Sequence, residues 1–151
     1  AMLSHWRKSG IADLLLAAIR QGLVASGVSA GAICWFSDLL LKTENNCFEP
    51  QFEQHNGLGL IAGSACPHFN SEPARKQAFE AAIANRQLQP GIAIDDGVGV
   101  HIINGVVAEI VRARSSGSAY LLAPDGGMNT HQPLTHGHRL GMGSANGDAS
   151  I

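Results

Sequence analysis

The sequence predicts an α/β fold that ends in an antiparallel addition, and three observations carry the prediction. Apolar residues recur at helical spacing near the start of the chain, and a second helical stretch follows Pro73. Between them lie short apolar runs of the kind that pack as buried strands. After Pro90 the texture changes to closely spaced β-rich runs, with Asn104-Gly105 between two of them as a hairpin signal. Helix and strand alternate first and hairpins follow, the order expected of a parallel-type sheet extended by antiparallel strands.

Residues 2–21 read as two helical pieces broken near Ser9-Gly10, with Ile11, Leu14, Leu15 and Ala18 on one face and Gly22 as the stop. Leu23–Val28 is short, apolar and partly β-branched, which predicts a buried parallel strand. The small residues Ser29-Ala30-Gly31-Ala32 then open a helix running to about Phe36. Residues 37–56 lack periodicity and carry the polar cluster Lys42-Thr43-Glu44-Asn45-Asn46, so a loop or irregular excursion is expected. Gly57–Ile61 reads as a short strand and Gly63–Phe69 as a loop. Ser71 is placed to cap a helix from Pro73 to Arg86, with proline in its first turn. Gly91–Asp95, Val98–Ile103, Val106–Arg112 and Ala119–Ala123 read as strands. Residues 124–151, rich in Gly, Asn, Ser and His, read as a tail with a disordered end, leaving 1–123 as the folded domain.

Composition narrows the function. A chain of 151 residues with 45% hydrophobic and 15% charged residues is long and apolar enough for one core and does not resemble a disordered segment. The net charge of −2 is spread along the chain. No basic stripe points to nucleic acid, and no polybasic run points to a membrane surface. No apolar run approaches the roughly 18 residues of a membrane span, and no secretory signal opens the chain. Three cysteines, Cys34, Cys47 and Cys66, without CxxC spacing, fit a reducing cytoplasm. His136-Gly-His138 lacks an accompanying acid or cysteine, so no metal is expected there and no cofactor is called for.

Gly27-Val28-Ser29-Ala30-Gly31 matches G-x-S-x-G. That pattern suits a nucleophile elbow, because small flanking residues let the backbone turn sharply and lift the serine hydroxyl out of the fold. The N–H of Ala30 is the natural first donor to an oxyanion. A serine needs a positioned base. Of seven histidines, His68 in Cys66-Pro67-His68-Phe69 is set where a loop can rise over the elbow. A carboxylate must then hold the imidazole tautomer. Asp38, Glu44, Glu49, Glu53, Asp95 and Asp96 are the candidates.

Together, the Gly27–Ala32 elbow, the Cys66–Phe69 block, Ile94-Asp95-Asp96-Gly97, Trp6-Arg7 and the Gly22-Leu23 step resemble the peptidase E family of serine peptidases, over residues 2 to 123. The resemblance implies a three-layer α/β/α sandwich with a mostly parallel sheet, like that of class I glutamine amidotransferases, with Ser29 in place of their elbow cysteine. It implies Ser29 as nucleophile, His68 as base and an acid in the excursion between them. Thr43-Glu44 is the nearest match, although aspartate is typical there, and Asp38 is held in reserve. No secure match exists for the family's basic substrate-binding residues; Lys42 and Arg75 are only nearby positive charges.

The resemblance also implies a larger fold, with further parallel strands and a Gly-rich turn preceding Ala1. The chain is therefore expected to be completed by an N-terminal half or by a homodimer partner. The expected activity is serine-type hydrolysis of a short peptide, in the manner of a dipeptidase that prefers an N-terminal aspartate. The alternatives are a non-catalytic scaffold or interaction module, and an esterase or amidase acting on a small molecule.

Overall fold

A computed structural model describes residues 2–43 and 50–142. Helix α1 spans Met2–Lys8 and α2 spans Ile11–Arg20. Gly10 between them takes φ 78°, a left-handed conformation in which only glycine is free of side-chain strain. Arg7 ties this pair to the rest of the fold by donating to the carbonyls of Asn56 and Gly57.

The expected buried strand over Leu23–Val28 does not form. The segment pairs with no strand among the described residues, and Leu23, Val24 and Val28 are 53%, 82% and 84% exposed. A buried strand requires neighbours on both sides, and no described strand approaches this one. The helix after the elbow is short. α3 is Ala30–Ile33, because strand β1 already begins at Phe36.

Within the expected irregular excursion, residues 37–42 and 52–56 belong to a strand pair. β1 (Phe36–Lys42) and β2 (Phe52–Asn56) are antiparallel, with Asp38 opposite Asn56 and Lys42 opposite Phe52. Phe36, Leu39 and Leu40 are buried, and a strand covered on both faces shows no alternation for the eye to catch. β3 (Ile61–Cys66) likewise occupies a stretch expected to loop from Gly63. Its small residues serve close packing between strands. A Cβ on Gly63, which takes φ 95°, would come within 2.5 Å of the Pro90 carbonyl, and one on Gly91 would strike the Ser64 hydroxyl.

Helix α4 (Pro73–Ala84) starts on its proline as expected, but its N-cap is Glu72 and no side chain caps it. β4 (Gly91–Ile94), β5 (Val98–Ile103), β6 (Val106–Arg112) and β7 (Ala119–Asp125) follow. Asn104 and Gly105 take φ 51° and 74°, the left-handed pair of a tight hairpin turn. Part of the expected tail is also structured. β8 (Met128–Pro133) pairs antiparallel with β7, and Arg139 and Met142 bridge back to Val106 and Ile61. The expected disordered end, 143–151, lies outside the described residues.

The main sheet has the order β2-β1-β3-β4-β7-β8, and β5-β6 form a separate pair. Parallel pairing is confined to β1–β3 and β3–β4, so the sheet is mixed rather than mostly parallel. Paired residues show how the two faces are built. Cys66 and Ala93 face α4, packing with Phe79, Ala82 and Ile83. Ala65 and Ile92 face the other way, packing with Ile33 of α3 and with the hairpin through Val107. The layer opposite α4 is thus shared between helix and hairpin.

Candidate active site

Three loops converge beside the parallel strands. Ser29 sits between the unpaired segment and α3 with φ 53° and ψ −122°, a strained conformation for a residue with a side chain. The surrounding sequence permits it. A Cβ on Gly27 would strike the carbonyl of Gly31, so this approach is open only to glycine. The second glycine of the motif is under no such pressure, since a Cβ on Gly31 would meet nothing within 4 Å. The N–H groups of Ala32 and Ile33 bond the Ser29 carbonyl and that of Gly31 bonds Val28. The Ala30 N–H has no such bond among the described residues.

His68 follows the last residue of β3 by two positions, and Asp96 follows the last residue of β4 by two. β3 and β4 are parallel neighbours, so equal offsets bring the two loops side by side at the carboxyl ends of the strands, where open α/β sheets build their sites. A bond from the Phe69 N–H to the Ile94 carbonyl, 3.1 Å, fastens them. His68 has φ 56°, a second left-handed non-glycine residue at the site.

The side chains connect in series. His68 Nε2 is 3.0 Å from Ser29 Oγ, and His68 Nδ1 is 2.6 Å from Asp96 Oδ1. With the carboxylate accepting from Nδ1–H, Nε2 is left with its lone pair toward the serine hydroxyl. The His68 and Asp96 side chains are 27% and 48% exposed, so the relay is open to solvent. The Asp96 carboxyl is held below the usual aspartate range, first by a hydrogen bond from Ser71 and then by the bond and charge of His68.

The carboxylate bonded to His68 among the described residues is Asp96, in the Ile94–Gly97 block after β4, whereas the acid was expected in the excursion between the other two residues. Glu44 lies outside the described residues. Asp38 is buried in β1 opposite Ser64, and its Oδ2 accepts the N–H of Gln89 at 2.9 Å. Gln89 precedes β4, whereas Asp96 follows it, so Asp38 is engaged at the other end of the strand. Lys42 ends β1, and Arg75 is bound to Glu72 and stacked on Phe52. Neither lines the space around Ser29. Equal spacing after two parallel strands was the signal for Asp96, and the misreading of β3 as a loop concealed it.

Ser29, His68 and Asp96 border a cavity of about 860 Å³. Its walls are the 23–28 segment and the inner face of β5 with Val98, Val100 and Ile102; Arg20 and His101 bring the further basic groups. No cluster of metal-ligating side chains occurs among the described residues.

The model of peptidase family S51 matches residues 1–110. The chain belongs to peptidase family S51. The match takes in all three side chains of the series. A relative from Bacillus subtilis (strain 168), the uncharacterized peptidase YgaJ, is 35% identical over 119 residues, which are 79% of this chain and 50% of that protein. The chain spans about half the length of this relative. Family membership supports a peptidase-type hydrolase at the level of the family. No helix is long and apolar enough to cross a membrane among the described residues.

Proposed function

We propose that this S51 chain carries the reacting groups of a serine-type peptidase, and that the single observation in favour is the hydrogen-bonded series from Ser29 through His68 to Asp96. His68 Nε2 takes the Ser29 proton as Oγ attacks the carbonyl carbon of a peptide bond. Asp96 holds the imidazole in the tautomer that leaves Nε2 free and offsets the charge that forms on it. The Ala30 N–H donates to the oxyanion. The imidazolium then protonates the leaving amine, and water, deprotonated by His68, releases the acyl group from Ser29. No metal or cofactor enters this sequence.

The substrate is a short peptide, on the family resemblance a dipeptide with N-terminal aspartate. Fluorophosphonate labelling tests the chemistry. Modification of Ser29, abolished by Ser29→Ala and by His68→Ala, supports the reading. No labelling of a chain that retains its thermal transition refutes it for this chain. A dipeptide panel set against simple esters separates peptidase from esterase activity.

A second reading is favoured by the exposed Leu23, Val24 and Val28 and by the half-length match to the relative. In it the chain works through that apolar face, either as an interaction module or completed by a second polypeptide. Failure to label alone, with labelling restored when a partner polypeptide is bound, distinguishes completion from a purely structural role.

A further inference from the structure

The loop that carries His68 also holds Asp96. The Oδ1 atom of Asn70, two residues beyond the base, accepts the backbone N–H of Asp96 at 2.9 Å, across 26 residues of sequence. Asn70 is itself an exposed turn residue that contributes nothing to the core. Its neighbours act on the same target. The Phe69 N–H binds the Ile94 carbonyl in the residue block that carries Asp96, and Ser71 favours the charged form of the Asp96 carboxyl. Ser71 and Glu72 return their own N–H groups to the His68 carbonyl, so residues 68–72 form one closed turn. A side chain carried on that turn moves with the imidazole.

We propose that Asn70 is a positioning residue for the relay, fixing the backbone of Asp96 relative to His68. This rests on the reading of Ser29, His68 and Asp96 as the reacting series. Asp96 is half exposed and follows a strand end, and its peptide unit is held within its own turn by the Val98 N–H on the Asp95 carbonyl, 3.2 Å, a bond that does not reach His68. The clasp from Asn70 ties that peptide to the turn that carries His68. Asp95 makes the need plain, because its Oδ2 accepts the Ser118 N–H at 2.9 Å and its N–H binds the Ser118 carbonyl. The chain is gripped from opposite sides at successive residues. A slip toward Ser118 would draw Asp96 away from His68. The other charged groups near the relay are few. Glu72 is paired with Arg75, and Arg20 and His101 lie on the cavity wall.

The test compares Asn70→Ala with Asn70→Asp, which keeps an acceptor oxygen at the same reach. Two readouts are taken on the chain. One is the proton resonance of His68 Nδ1–H, which reports its bond to Asp96 whether or not Ser29 reacts. The other is the fluorophosphonate labelling rate across pH. Asn70→Ala is expected to broaden or lose the resonance and to slow labelling about 10-fold or more, as misplacement by about 1 Å can cost about 10²-fold. Asn70→Asp is expected to restore both. If Asn70→Ala does not fold, Asn70→Ser, too short to reach Asp96, is read in its place. An unchanged resonance and labelling profile in the shortened variant overturns the proposal, as does an Asn70→Asp protein no better than Asn70→Ala. A wild-type protein that shows the resonance but does not label overturns the proposed function alone, and the resonance in the variants then decides the role of Asn70.

Discussion

Asp95 and Asp96 are adjacent in the chain and bond in different directions. Asp95 accepts the backbone N–H of Ser118 and anchors the start of β7, while Asp96 accepts from Nδ1 of His68. The pair divides a structural duty from a chemical one, so the two aspartates answer differently to substitution. Asp96→Asn is expected to keep the thermal transition and to slow Ser29 labelling by about 10²–10⁴-fold, because an amide favours the wrong imidazole tautomer. Asp95→Asn is expected to lower stability first. Glu44→Gln decides between the acid named from the family resemblance and the one bonded to His68. A larger loss there than in Asp96→Asn would transfer the role to Glu44.

The elbow makes an asymmetric prediction about its glycines. Gly27→Ala forces a methyl group against the Gly31 carbonyl, a backbone atom that cannot swing aside. The cost is expected at about 1–3 kcal/mol, with loss of labelling. Gly31→Ala meets open space and is expected to change stability by less than about 0.5 kcal/mol. Equal effects in chemical denaturation would contradict the described turn.

The depressed Asp96 carboxyl has a definite sign in pH. Ser71 and His68 favour its charged form in the fold more than in the unfolded chain, so the folded value lies below the unfolded one. Its contribution to stability is present above about pH 4 and is lost as pH falls through the folded value. An NMR titration of the Asp96 carboxyl carbon should show a midpoint below about 3.9, and Ser71→Ala should raise it. A wild-type midpoint at or above that value would show that neither bond persists in solution.

Buried thiols give a fourth expectation. Burial raises the Cys34 thiol and pushes Cys66 up to about 12. Both are expected to resist thiol reagents in the native protein at neutral pH and to react on unfolding. For Cys66 the folded value exceeds the unfolded one, so the neutral thiol favours the fold. That contribution is full below about pH 9 and is lost as pH rises toward about 12. Peptide mapping after alkylation distinguishes these two from Cys47. Rapid native modification of Cys66 would be inconsistent with its packing under α4.

Exposure at the unpaired segment gives the fifth. Val24 is 82% exposed, so Val24→Lys is expected to change folding stability by less than about 0.5 kcal/mol. A loss of several kcal/mol would mean that residues 23–28 are buried as the strand first expected from their composition.

The first two helices, the start of α4, the β5–β6 hairpin and the pairing of Ser29 with His68 were legible in the sequence for physical reasons. Gly10, Pro73 and Asn104-Gly105 fix local backbone conformations whatever the rest of the chain does. Gly27-x-Ser29 declares a close approach that only glycine allows. What resisted reading was long-range. Leu39-Leu40-Leu41 carries no alternation because α4 covers one face of β1 and the hairpin layer covers the other. The small residues of β3 resemble a loop because their reason lies in Pro90 and Gly91, more than 20 residues away. Asp96 does not stand out among the candidate acids for the same reason, since it neighbours His68 only once β3 and β4 are known to be parallel. Met128–Pro133 was passed over as tail because its pairing with β7 gives polar residues a backbone role rather than a place in the core.

The bare flank at residues 23–28 bears on time as well as shape. The Leu23 N–H reaches back to Ala18, but among the described residues no ladder holds those between it and the elbow. Amide exchange there should proceed through local openings cheaper than global unfolding. Each opening relaxes the wound backbone of Ser29, which surroundings must hold in its strained conformation. The observed reactivity is then the intrinsic reactivity multiplied by the fraction of time the elbow stays wound. Any molecule that quiets this segment would act as an activator without touching the hydroxyl, by lengthening the intervals in which Ser29 is poised.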